Sequence, residues 1–290
     1  MVTTIWSGLS VGAIYALVAM AYNVGLMTSG VLNFAQAQFV GIALFAMYLL
    51  LVPLHLPAVV AIAITIAGVT LLALVQEELT IRPVPPSRLN PTALITTIGA
   101  SLVISSLIGR VGGTNIFSVP LLGNNDSFDL LGGRVSPSDL LPIIVAILAA
   151  IGLQVMSTRT TFGLAGQATS EDRDAAALRG INYRRMVLLS FALGGAIAAL
   201  AGVASVAKTF AVAGVADTYV VKAFVCLALF GFGSQKGALA GGATVGLVEA
   251  FAGRYLGADY SNLSVMILLL AVLMLRPGGV FSLERGARVI

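Results

Sequence analysis

The chain has 290 residues, of which 58% are hydrophobic and only 10% charged, and its mean hydropathy is +1.01. A soluble domain carries about 25% charged residues to cover its surface, so this composition excludes a water-exposed globule and makes lipid the main outer solvent. A single cysteine, Cys226, and a single histidine, His55, exclude an internal disulfide framework and a multi-cysteine metal site. The net charge of +4 is not gathered into basic–aromatic clusters, so it points to charge bias across a membrane rather than to nucleic acid.

A helical span needs roughly 20 apolar residues to cross the hydrocarbon layer. In chain order the spans fall at 5–27, 36–52, 58–76, 92–110, 138–156, 186–207, 218–232, 238–252 and 261–275. The fold class is therefore all-α and polytopic, with about eight to nine transmembrane helices, possible re-entrant half-helices included, in one transmembrane domain, 1–290. The first 30 residues contain no Lys or Arg, so they lack the basic start of a cleavable signal and read as a retained span. The pair 218–252 is interrupted by Gly231, Gly233 and Gly237. It is either two full tilted spans or a re-entrant pair of half-helices.

Around the start of the second span, Asn33, Gln36 and Gln38 place hydrogen-bonding groups near a helix break, where freed backbone can line a pathway. The segment 111–137 is rich in Gly, Asn, Ser and Pro and reads as a folded extracytoplasmic loop. The breaks at 77–91 and 157–185, with the C-terminal tail, collect ten of the sixteen basic residues. The positive-inside rule makes these regions cytoplasmic, with the N-terminus outside and the C-terminus inside.

Within 157–185, the run TSEDRDAAALRGINY carries agreeing helix signals. Thr169 or Ser170 can cap a helix, Thr169-x-x-Asp172 resembles a capping box, and Glu171, Asp172 and Asp174 suit the positive end of its dipole. Arg179 and Gly180 suit its C-terminal end. Ala175, Ala176, Ala177 and Leu178 form a small apolar patch that fits a groove on a partner or on the chain's own spans. Apart from Asp139 at the very start of the span 138–156, Glu249 is the one acid inside a predicted span, placed either along the pathway or beside Arg254.

The run ATSEDRDAAALRGINYRRMVLLSFALGGAIAALAGV resembles the cytoplasmic coupling segment of branched-chain amino acid ABC importer permeases. The opening SGLSVGAIYALVAMAYNVGLMTSGVLNFAQAQF, the later GFGSQKGALAGGATVGLVEA and the closing LRPGGVF are also similar to that family, in its order. The resemblance implies a permease that pairs with a second permease, identical or related. It also implies two nucleotide-binding ATPase subunits on the cytoplasmic face and an extracytoplasmic solute-binding protein. Glu171, Asp172, Asp174, Ala175, Ala176, Ala177, Arg179 and Gly180 would then couple the spans to the ATPase subunits. ATP and Mg would be used by those partners, with no cofactor in this chain, which has no phosphate-binding loop of the Walker type. Where many relatives read Asn-Phe-Ala-His-Gly-Glu-Phe, this chain has neutral Gln36 and Gln38 in the ionisable places, compatible with a neutral or zwitterionic solute.

The sequence carries no nucleophile elbow and no metal-ligand spacing, so it is not read as an enzyme. The alternative is an ion-coupled secondary transporter. Such carriers use intramembrane ionisable groups, and this reading takes only Glu249 as one, with no intramembrane His, Asp or Lys for a relay.

Overall fold

Backbone in hydrocarbon must satisfy its own hydrogen bonds, and this chain does so almost wholly as helix. The computed structural model describes residues 1–30, 32–84, 91–113, 115–119, 121, 127–130, 132–230 and 232–275. Each predicted span falls on a helix: α1 (Val2–Ser29), α2 (Gln38–Leu51), α3 (Ala58–Thr80), α4 (Pro91–Gly112), α5 (Pro137–Arg159), α8 (Tyr183–Val206), α9 (Val215–Phe230), α10 (Gln235–Tyr255) and α11 (Ala258–Leu275). A 3-10 turn, Phe34–Ala37, leads into α2, and the two shorter helices α6 (Thr161–Glu171) and α7 (Arg173–Leu178) lie between α5 and α8. By length and composition seven of these helices can cross a membrane unaided, and α9 and α10 form a further pair bent by 117°.

α1 is the central helix, packed by α10, α8, α5 and α9. Its run from Ala13 to Tyr22 is buried throughout. α10 lies antiparallel to it along nearly its whole length. Arg254 donates to the Thr4 hydroxyl at one end (2.6 Å), and Asn23 donates to the Ser234 carbonyl at the other (3.1 Å). Twenty residues of helix separate these points, about 30 Å, so α10 traverses the same depth as α1. The break between α9 and α10 is tied down as well: the Gly233 N–H donates to the Asn23 side chain at 2.9 Å. Gly233 is left-handed (φ 86°), whereas Gly237, expected as part of the break, lies inside α10 with its N–H capped by the Ser234 hydroxyl.

The closeness of α1 and α10 comes from glycine. A Cβ on Gly242 would stand 2.3 Å from the Gly12 carbonyl oxygen, and one on Gly246 would stand 2.2 Å from that of Gly8. Small residues at such positions let helices meet in lipid, where apolar surface alone gives no drive to associate. The outward faces of α3, α4, α5 and α11 are lined instead by exposed Val, Leu and Ile. α2, α3 and α4 also enclose an apolar groove of about 580 Å³, bordered by Phe39, Phe45, Leu72, Val103 and Leu107.

Two connections differ from expectation. The segment 157–185 is mostly helix, not loop. Its second helix starts at Asp172, whose carboxylate accepts from the N–H groups of Asp174 and Ala175, rather than at Thr169 or Ser170. Thr169 instead sits inside α6, bonded back to the Ala165 carbonyl. Between α4 and α5 the described residues include a two-stranded hairpin, β1 (Phe128–Leu130) with β2 (Gly133–Val135), and a bridge from Phe117 to Ala211. The α1–α10 contact sets a clear expectation for stability. Gly246→Val should lower the melting temperature of the detergent-solubilised protein, at a cost of about 1–3 kcal/mol for overpacking. Gly99→Ala, where a Cβ would meet nothing within 4 Å, should leave it unchanged or slightly higher.

Candidate functional site

The polar residues at membrane depth sort into three groups. The first is the break after α1. Asn33 caps the 3-10 turn by accepting from the Ala35 N–H (3.1 Å) and donates to the side chains of Gln36 (3.2 Å) and Gln76 (2.7 Å). Gln76 of α3 returns a bond to Asn33 (3.2 Å) and donates to the Thr80 hydroxyl (2.8 Å). All three amides are buried, and the Gln36 Nε2 has no acceptor. It packs against Gly194 of α8, where a Cβ would stand 3.0 Å from it.

Gln38 belongs to a second group. Its amide N–H donates to Asp217 of α9 (2.6 Å) and to the Ser101 hydroxyl of α4 (3.3 Å). Ser105, one turn further along α4, donates to the other oxygen of Asp217 (3.2 Å). One turn earlier, Thr97 reaches the Leu32 carbonyl (3.4 Å). Thr97, Ser101 and Ser105 therefore form a hydroxyl stripe at i, i+4, i+8, running from the break to Asp217.

Glu249 stands apart, in a third group. It accepts from Lys222 of α9 (2.5 Å) and from the Tyr15 hydroxyl of α1 (2.9 Å), and Lys222 also donates to Tyr15 (3.0 Å). Their side chains are only 7% and 18% exposed for Lys222 and Glu249. Tyr15 and Lys222 lie midway along their helices, so this is an ion pair near the bilayer centre. The expected partner Arg254 is occupied with Thr4 instead. Lys222 corrects the sequence reading directly, because it lies within the predicted span 218–232 and was not weighed there. A lone Lys in the run VVKAFVCLALF is itself the signal of an intramembrane partner. The compositional argument against an ion-coupled carrier therefore falls away.

The last expected site is the segment from Glu171 to Gly180. Glu171 ends α6, Asp172 caps α7, and Gly180 adopts the left-handed conformation (φ 79°) that closes it. Ala176 is buried against the chain itself, while Asp174, Ala175, Ala177, Leu178 and Arg179 are exposed, Leu178 at 91%. The segment is tethered on three sides. Gly166 meets Thr28 of α1, Gln167 donates to the Ser157 carbonyl of α5 (3.1 Å), and the Arg173 guanidinium stacks 3.6 Å from the Tyr183 ring of α8. Among the described residues no three His, Cys, Asp or Glu side chains converge on a metal-sized site.

Removing one member of a buried pair strands the other charge, typically at 3–5 kcal/mol. Lys222→Met should therefore destabilise the protein by about that amount, and the double variant Lys222→Met/Glu249→Gln should recover most of the loss. Additive melting shifts across that cycle would show that the two groups do not depend on each other.

Comparison with known proteins places this architecture. Residues 4–275 match the family model described as branched-chain amino acid transport system / permease component. The chain is 32% identical over 293 residues to the high-affinity branched-chain amino acid transport system permease protein BraD of Pseudomonas aeruginosa, covering 95% of this chain and 94% of that protein. It is 28% identical over 294 residues to the corresponding LivH of Salmonella typhimurium, covering 96% and 94%. A probable branched-chain amino acid transport permease protein LivH of Methanocaldococcus jannaschii is 25% identical over 286 residues, covering 92% and 88%. Apolar helices, a tethered pair of short helices and full-length similarity agree, and the chain belongs to the permease family of branched-chain amino acid ABC transport systems, a transport component whose ATP hydrolysis lies in partner subunits.

Proposed function

We propose that this chain forms the transmembrane pathway of an ABC importer for a small solute, a branched-chain or hydrophobic amino acid or a related amide, urea or organic acid. An extracytoplasmic binding protein delivers the solute, and a second permease, identical or related, completes the pathway. The observation that carries this reading is the α6–α7 unit. It presents an exposed Leu178 beside Asp174 and Arg179 while its other side grips α1, α5 and α8. A nucleotide-binding subunit that moves this unit would move the ends of three spans with it. Within the unit, Glu171, Asp172, Asp174, Ala175, Ala176, Ala177, Arg179 and Gly180 form the coupling segment, with Ala176 turned inward.

On this reading the face bearing α6 and α7 is cytoplasmic and the N-terminus lies outside. Arg82, Arg159, Arg173, Arg179, Arg184, Arg185 and Lys236 gather at that face, and Arg110, Arg134, Lys208 and Arg254 at the other, a bias that supports the orientation. The pathway groups are Asn33, Gln36 and Gln38. Glu249, bound to Lys222 and Tyr15, holds α1, α9 and α10 together beside it.

Purification through the C-terminus in mild detergent should recover ATPase subunits and a permease partner, with ATP-dependent uptake of leucine once the binding protein is added. Uptake by the isolated chain under an ion gradient alone would favour a self-sufficient carrier. Leu178→Asp should weaken recovery of the ATPase subunits by roughly tenfold or more, the scale of one buried leucine side chain. Ala176→Glu should instead disturb the chain's own packing of α7 against α6 and α8 and lower its melting temperature. Undiminished ATPase recovery with Leu178→Asp would remove α7 from the docking surface.

A further inference from the structure

Asp217 occupies a position that hydrocarbon does not tolerate. The first turn of α9 sits beside Gly41 of α2 and Ile108 of α4: a Cβ on Gly41 would stand 3.1 Å from Ala216 and 3.3 Å from Ile108. α2 continues ten residues beyond Gly41 and α4 seven beyond Ser105, which puts Asp217 about 10–15 Å below that face of the membrane. The residue is nonetheless exposed on the surface of the chain, as are its neighbours Thr218 and Val221 on the same stripe of α9 and Ser106 on α4.

Charged side chains at such depth almost always face a protein interior or a water-filled cavity rather than acyl chains. The chain itself does not cover Asp217, so the surface around it faces water or a partner. Its two oxygens each accept one bond, from Gln38 and from Ser105. A carboxylate offers about four acceptor sites, so roughly half its capacity stays open toward the exposed side. Among the described residues no Lys or Arg forms an ion pair with it. The amide and hydroxyl donors hold the carboxylate in place while leaving its charge uncompensated.

We propose that Asp217 is the charged contact of the translocation pathway, a carboxylate turned to the aqueous path that takes the N–H-bearing head group of the passing solute. This rests on the importer reading above and assigns the solute's polar end to one side chain. Gln38 and Ser105 are positioning residues, and Ser101 with the buried Thr97 continues the hydroxyl stripe inward toward the break at Asn33. A single carboxylate fixed by neutral donors binds an ammonium or amide N–H strongly enough to favour entry. Among the described residues no second carboxylate is bonded beside it, so it does not form a cage that would trap the solute.

The test uses the complete transporter in proteoliposomes. Cys226 is the only cysteine and is buried, so the native chain gives the background for a charged, water-soluble thiol reagent. Asp217→Cys should react well above that background, and Ser105→Cys gives a second probe of the same wall. Leu270→Cys, exposed on α11, serves as the apolar reference. Asp217→Asn preserves shape and should reduce leucine uptake by roughly tenfold or more, the scale of one charge-assisted hydrogen bond, while assembly with the ATPase subunits is retained. Absence of labelling at both cysteines would overturn the proposal, because the face would then be sealed against a partner. So would leucine uptake unchanged by Asp217→Asn. Labelling in a transporter whose native form carries no leucine would reject the amino-acid solute but support the carboxylate's place on the path.

Discussion

Lipid removes the main force that assembles soluble proteins. Acyl chains are as apolar as leucine, so two spans gain little from hiding apolar surface against each other. What remains is close contact and buried polar bonding, and α1 concentrates both. Gly8 and Gly12 meet Gly242 and Gly246 of α10 backbone to backbone. The same two helices are pinned at their ends by Thr4 with Arg254 and by Asn23 with the Gly233–Ser234 turn. Around this paired axis α5, α8 and α9 take their places, and the remaining spans expose their apolar faces.

The polar groups inside the bundle divide by what surrounds them. Lys222, Glu249 and Tyr15 are enclosed by three helices and satisfy one another. Such a group costs desolvation and returns specificity of arrangement, fixing the rotation of α9 and α10 about α1. Asn33 serves the broken backbone after α1 by accepting from the Ala35 N–H, and Gln36 and Gln76 hold its side chain in place. Asp217 differs from both groups because its acceptors open outward. One short helix, α9, carries Lys222 to the closed cluster and Asp217 to the open one, so a shift of α9 would be felt by both.

The α6–α7 unit lies against the ends of α1, α5 and α8. Gly163 allows the sharp turn out of α5, since a Cβ there would stand 2.2 Å from the Met156 carbonyl oxygen. α6 then returns along the end of α1, and Arg173 fastens α7 to the first turn of α8. α1 therefore contacts the α6–α7 unit at Thr28, the α9–α10 turn at Asn23 and the ion pair at Tyr15. Motion at one end has a continuous, closely packed route to the other.

The sequence by itself determined the solvent, the helical class and the position of every span, because apolar run length and the cost of unpaired backbone leave a chain in lipid few alternatives. It also marked the break at Asn33 and the left-handed stop at Gly180, where local chemistry decides the conformation. Tertiary structure alone decided which polar groups meet. Gln38 and Asp217 are 179 residues apart and Tyr15 and Glu249 are 234 apart, so no local pattern joins them. Lys222 could have been read from its apolar surroundings, yet its partner could not, since Glu249 and Arg254 are closer in sequence than Glu249 and Lys222. Ala176 faces inward and Leu178 outward for a similar reason. The run of alanines has no face until α6 and α8 supply one side of it.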